Sequence, residues 1–194
     1  MWLNDRVRRL VRMVFPSYQL LRVYHFDTER LVFEPPKDVV LAPIPDSQTV
    51  KTSGVDEVIR ARGWYAGEHA HGFGLWSGST LVATAWFWTR QRPGVPSWFA
   101  TLVDDEAVLV DIVTAPSYRG RGYASVLTNF AANELRKLGY RRLWTWIWHS
   151  NTPSIRSFKK AEWVYSHFFI QVQPFWSRHA LSFRLNGCSR SRDH

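Results

Sequence analysis

Cysteine is almost missing from this chain: Cys188 stands alone among 194 residues. A single thiol excludes an internal disulfide and fits a reducing compartment, and its polar surroundings near the C-terminus give it no base to make it a nucleophile. No apolar run reaches the roughly 18 residues that a spanning helix needs. No uninterrupted apolar stretch follows the first residues, so neither a membrane span nor a secretory leader is expected and the chain reads as cytoplasmic. No cluster of Cys and His has metal-ligand spacing, so no metal is expected. No internal repeat is visible. Acidic residues are also few: 16 Asp and Glu against 25 Lys and Arg leave a net charge of +9. Such an excess attracts anions; a polyanionic small molecule accounts for part of it, and nucleic acid or an anionic membrane are the charge-based alternatives, though no nucleic-acid motif is present.

Apolar and aromatic residues are plentiful. Hydrophobic side chains make up 45% of the chain, enough for the core of one domain, and 11 residues are tryptophan. They crowd at Trp86, Trp88 and Trp98 and again at Trp144, Trp146 and Trp148. Alternating along strands, they read as core residues; a flat platform for a sugar-like acceptor is the other reading. Residues 1–28 read as a basic amphipathic helical arm, Leu10, Val14, Leu20 and Leu21 lying among Arg6, Arg8, Arg9, Arg12 and Arg22, with Pro16 breaking or kinking any helix. Such an arm either packs on the domain by its apolar side or lies on anionic lipid at the inner face of a membrane. Residues 29–186 read as a single domain and 187–194 as a basic tail.

The chain is organised around residues 107–138. Ala107-Val108-Leu109-Val110-Asp111-Ile112 reads as a strand. From Ala124 to Leu138 the apolar residues Val126, Leu127, Phe130, Ala131, Leu135 and Leu138 recur at helical spacing, with Gly139 as the C-terminal stop. Between them lies Arg119-Gly120-Arg121-Gly122-Tyr123. A glycine turn at a helix start offers free backbone N–H groups and the positive end of the helix dipole, which together favour a phosphate. The glycines leave no Cβ where a ligand approaches, and the arginines add charge. No Gly-Lys-Ser/Thr follows, which excludes a P-loop, and the third glycine of a dinucleotide fingerprint is missing.

Arg119-Gly120-Arg121-Gly122-Tyr123-Ala124 resembles the Arg/Gln-x-x-Gly-x-Gly/Ala signature of the GCN5-related N-acetyltransferases (GNAT). Val113-x-x-Pro116 upstream and Asn151-x-x-Ser154 downstream are also similar to that family, and the resemblance covers roughly residues 80–170. It implies an α/β (α+β) fold: a mixed, mostly antiparallel twisted sheet with a central βαβ crossover and splayed central strands. It also implies acetyl-CoA as acyl donor and co-substrate. Arg119, Gly120, Arg121, Gly122, Tyr123 and Ala124 would hold its pyrophosphate. Backbone groups at Ile112 and Val113 would polarise the thioester carbonyl. Asn151 and Ser154 would meet the pantetheine arm, although Asn151 before Thr152-Pro153 also fits a helix N-cap.

The remaining elements agree with that order. Short strands are expected at 31–34 and 39–42, a loop around Pro43, Pro45 and Ser47, and a helix at 55–62. A hairpin at 73–89 turns at Gly78, and a strand follows at 98–103. After the central helix come a strand at 142–149, a helix at 151–160, and two strands at 163–172 and 179–185. Amide formation needs a neutral amine, and an amine of pKa about 10 is mostly charged at neutral pH, so a base must take its proton. Asp111, His149 and Glu68 are the candidates. Asp111 is costly inside an apolar strand unless it is functional or salt-bridged, and both readings stand. Where family members often carry a tyrosine as general acid, this chain has Phe158. Tyr165, Ser150 or water would then protonate the leaving thiolate, or it leaves unaided, its thiol pKa being about 8.5. Glu68, His69, His71 and Trp86 are the expected acceptor contacts. The function expected is transfer of acetyl from acetyl-CoA to the primary amine of a small molecule, such as an amino sugar or nucleotide sugar. A longer or carrier-protein-bound acyl donor, and a CoA-binding protein without turnover, are the alternatives.

Overall fold

The computed structural model describes residues 17–30, 36, 38–95 and 102–186. The first 16 residues, the strand expected at 31–34, most of that expected at 98–103, and the tail with Cys188 lie outside them. Eight strands form one sheet: β1 (Ser17–Asp27), β2 (Val40–Ile44), β3 (Ala70–Ser77), β4 (Thr80–Thr89), β5 (Glu106–Thr114), β6 (Arg142–Trp148), β7 (Val164–Gln173) and β8 (Leu181–Asn186). Their order across the sheet is β2-β3-β4-β5-β6-β1-β7-β8. Every neighbouring pair is antiparallel except β5 and β6. Those two are joined by α3 (Tyr123–Lys137), a βαβ crossover as expected.

The second half of the expected arm is corrected here. Residues 17–27 are a strand inside the sheet, paired with β6 on one side and β7 on the other. Leu21, Val23, Tyr24 and Phe26 are buried, and the strand is covered on both faces. A strand buried on both sides need not show period-two alternation, and its leucines and arginine mimic helical spacing. A second difference lies at Ser47–Ser53, expected as loop but folded as helix α1. Asp46 is its N-cap: the carboxylate accepts from Thr49 N–H at 2.7 Å, a local signal outweighed in the sequence by two nearby prolines. The helix expected over 55–62 is the single turn α2 (Glu57–Arg60), capped by Asp56, continuing as a 3-10 turn over Ala61–Tyr65.

Helices cover both faces. On one, Leu127, Ala131 and Leu135 of α3 sit four residues apart and bury against Phe73, Leu75, Phe87 and Leu109. Phe158 of α4 (Thr152–Lys160) joins the same cluster. On the other face Val50 of α1 and Ile59 of α2 pack with Ile44, Leu81, Trp86 and Ala115. β4 lies between the two layers, which is why Leu81 to Thr89 is buried without a break. Each fully buried leucine here contributes about 1.5–3 kcal/mol.

One close approach holds this layer. The Trp86 ring fills the space over Gly72, where an added Cβ would stand 2.4 Å from it. Gly72→Ala is therefore expected to displace the indole and cost about 1–3 kcal/mol. Urea unfolding with an unchanged midpoint would contradict that packing.

Candidate functional site

The site begins where two strands part. β5 and β6 are paired only from Glu106↔Arg142 to Leu109↔Thr145. Beyond that, β5 remains on β4 as far as Thr114, while β6 remains on β1 as far as Trp148. The edges of both strands that face the gap therefore have no ladder partner. The gap is a cavity of about 590 Å³, lined among others by Asp111, Ile112, Trp146, Trp148, Gln19 and Leu21. A second cavity of about 850 Å³ continues it, lined by Ile112, Val113, Arg119, Gly120, Gly122 and Lys160. Ile112, Asn151, Ser154 and Phe158 line both, so the two form one cleft.

The outer end of the cleft is built for an anion. Gly120 and Gly122 both have left-handed backbones, φ 80° and 79°. No side chain caps the start of α3, and the N–H groups of residues 120–124 have no partner among the described residues. A Cβ on Gly120 would meet nothing within 4 Å, and one on Gly122 would meet the Lys160 ammonium at 3.8 Å. Arg119 is held back to the Thr114 carbonyl at 3.1 Å, and the Arg121 guanidinium lies over the Tyr118 ring. Tyr123, Ala124 and Arg156 complete the lining. Free donors, a helix N-terminus and several cations fit the pyrophosphate of an acyl-CoA. Asn151 is an N-cap, its side-chain oxygen accepting from Ser154 N–H at 3.3 Å, and both residues also line the cleft. The two roles expected of it are compatible.

Asp111 reaches the inner part of the cleft because of a bulge. Across β4 and β5, Trp86 opposes Asp111 and Phe87 opposes Leu109, leaving Val110 unpaired. Val110 and Asp111 consequently both turn toward the face of α1 and α2. There Asp111, with a side chain 16% exposed, stands 3.1 Å from Arg62 Nε. The N–H is not aligned with the oxygen, so the contact is a charge pair without a well-directed hydrogen bond. The Tyr65 side chain lies beside the same carboxylate and favours its charged form. Burial raises the Asp111 pKa above its ordinary value, against the opposing pull of Arg62 and Tyr65. Tyr65 is pushed up to about 12 by burial and the Asp111 charge, so it stays a donor.

The other expected site residues do not line this cleft. His149 stacks edge-on with Phe168 of β7, and its backbone N–H donates to the Leu20 carbonyl at 2.9 Å. Tyr165 lies at the far end of β7, edge-on to Tyr24. His71 Nε2 is 3.1 Å from the Tyr140 hydroxyl, beyond the C-terminal end of α3, and burial lowers its pKa. Glu68 and His69 are exposed and paired with each other. Trp86 is packed into the core. Gln19, Leu21, Arg62 and Tyr65 were missed by sequence reasoning. Arg62 and Tyr65 carried no signal, since only the fold brings a 3-10 turn beside β5. Trp146 and Trp148 line the cleft, and Trp148, 39% exposed, stands at its mouth, stacked at 6.2 Å on Tyr18. Among the described residues no group of three His, Cys, Asp or Glu side chains is arranged to hold a metal ion.

Comparison with known proteins agrees with this fold. The model of the Acetyltransferase (GNAT) family matches residues 41–163. No curated protein matches the chain in sequence. Among solved structures, a GNAT-family protein from Novosphingobium aromaticivorans superposes with a TM-score of 0.56 at 16% identity, over 81% of this chain and 65% of its own. A GCN5-related N-acetyltransferase from Sphaerobacter thermophilus gives 0.56 at 12% identity, over 88% and 56%. A GNAT-family acetyltransferase from Colwellia psychrerythraea gives 0.55 at 16%, over 86% and 60%. The chain thus spans less than two thirds of each of these proteins, and at such identities the likeness speaks for the fold.

Gly120→Val would force a branched residue into a left-handed backbone and fill the phosphate end. It is expected to weaken acetyl-CoA binding by about tenfold or more with the fold retained. Calorimetric titration beside circular dichroism checks this, and unchanged affinity would remove the turn from the binding site.

Proposed function

The chain belongs to the Acetyltransferase (GNAT) family, and from that premise we propose that it transfers acetyl from acetyl-CoA to the primary amine of a small molecule. The observation that carries the reading is the single cleft joining a phosphate-binding turn to a buried carboxylate through the gap between β5 and β6. The turn holds the pyrophosphate, and the unpaired edge of β5 near Ile112 and Val113 offers backbone N–H groups to the thioester oxygen. The amine enters from the mouth at Gln19, Trp146 and Trp148. Its nitrogen attacks the carbonyl carbon, a C–N bond forms and the C–S bond breaks. Asp111 takes the ammonium proton, directly or through water, before attack. Its raised pKa makes it a better proton acceptor than an ordinary aspartate, while Arg62 and Tyr65 favour its ionised form.

The leaving thiolate needs no side-chain acid. Phe158 lies at the junction of the two cavities and offers no proton. A thiol pKa of about 8.5 lets the thiolate depart and take its proton from solvent. The aromatic mouth supports a flat-faced acceptor such as an amino sugar or nucleotide sugar, for which a screen of amines is the direct test. A CoA-binding protein without turnover is the second reading, favoured by Phe158; tight acetyl-CoA binding with no product from any amine would select it.

The base assignment has a pH signature. Asp111 must be ionised to accept a proton, so kcat rises as pH passes upward through its pKa, and this limb lies above the ordinary value of 3.8. Asp111→Asn is expected to remove the limb and lower kcat by about 10²–10⁴-fold with acetyl-CoA affinity retained. A profile unchanged in the variant would take the base role from Asp111.

A further inference from the structure

The two ends of the sheet differ in charge. At the end where β5 and β6 begin, Asp27, Asp104 and Asp105 are balanced by Arg142, Arg90 and Arg141, which pair with them, and Arg136 and Lys137 close α3. The other end carries the cleft mouth and the phosphate turn with Arg119, Arg121, Arg156 and Lys160. Ser17 pairs with Gln173, so the start of β1 and the turn between β7 and β8 also stand there.

That turn is apolar and exposed. Phe175 is 69% and Trp176 66% exposed, packed edge-on against each other at a centroid distance of 4.8 Å. Behind them Leu181, Phe183 and Leu185 alternate along β8, each at least half exposed. They extend a row formed by Val172, Ile170 and Phe168 of β7, their partners across the ladder. Arg178 and His179 flank the aromatic pair. From Trp163 to Asn186 the chain has no Asp or Glu. Exposed aromatics at a turn, an apolar row behind them and cations without carboxylates match a bilayer interface, where indole sits at headgroup level and arginine meets lipid phosphate. A neutral surface would gain nothing from these cations, whereas an anionic one attracts this end.

We propose that the protein docks on an anionic lipid bilayer through the β7–β8 turn, with Phe175 and Trp176 inserted at the interface and the basic end facing the headgroups. Docked so, the cleft mouth at Trp148 and Gln19 opens toward the membrane. Resting on the acyl-transfer reading, the acceptor class follows: an amine displayed at the bilayer surface.

The test is cosedimentation of the full chain with vesicles of phosphatidylcholine, alone or with about 30% phosphatidylserine. Binding is expected to the mixed vesicles, weak on the neutral ones, and falling as salt is raised from about 0.05 to 0.5 M. The double variant Phe175→Ser, Trp176→Ser is expected to bind at least about tenfold more weakly. Because both side chains are exposed, its circular dichroism and acetyl-CoA titration should match the parent. Failure of the parent to sediment with anionic vesicles would overturn the proposal. So would equal binding by the double variant, which would leave general basic charge as the cause. A dimer seen by light scattering and dispersed by the double variant, without vesicle binding, would assign the face to a second copy instead. None of these readouts uses turnover. Vesicle binding without acetylation would sink the activity alone, and acetylation of soluble amines without vesicle binding would sink the docking alone.

Discussion

Four residue pairs join the two halves of this sheet. Between Glu106↔Arg142 and Leu109↔Thr145 the central strands are hydrogen-bonded; past them each strand follows its outer neighbour. The gap is therefore sustained by the ladders on its far sides, not by contacts across it. That makes the cleft a fixed feature of the empty protein. Extended-chain ligands meet backbone groups already aligned, so little ordering entropy opposes binding. The bulge at Val110 depends on the same constraint, because β5 must stay registered on β4 while bending from β6.

The electrostatics of the cleft follow from its walls. The phosphate end is open, cationic and rich in backbone donors, a setting for a permanently charged group. The inner end is partly desolvated and holds a carboxylate between a guanidinium and a phenol. Burial raises the pKa of that carboxylate, while Arg62 and Tyr65 pull it the other way.

How much of this could be read without coordinates depended on how local the signal was. The β5–turn–α3 unit was legible to within a residue or two because strand composition, paired glycines and helical spacing lie in one continuous stretch. The N-cap at Asn151 and the hairpin at Gly78 were legible for the same reason. β1 was not: residues 17–27 belong between two strands from the other end of the chain, and a strand covered on both faces loses its alternation. The partners of Asp111 were hidden because Arg62 and Tyr65 reach it from another element. His71 shows the converse: expected as an acceptor contact, it is carried by the strand register to Tyr140, away from the cleft.

The position of β1 also sets a timetable. It is synthesised well before its partners, and its two ladders need residues 142–148 and 164–173. During translation, at about 5–20 residues per second, this apolar strand waits through most of the chain for its slot. Its pairings are among the longest-range in the sheet, and such contacts form slowly once loop closure has to be overcome. The β4-to-β6 half can organise around α3 first, but its cleft wall on the β6 side would lack the strand that draws β6 away from β5. The ligand-ready gap is thus complete only once β7 has been made, and nascent protein released short of β7 would carry an unsatisfied strand and an unfinished cleft.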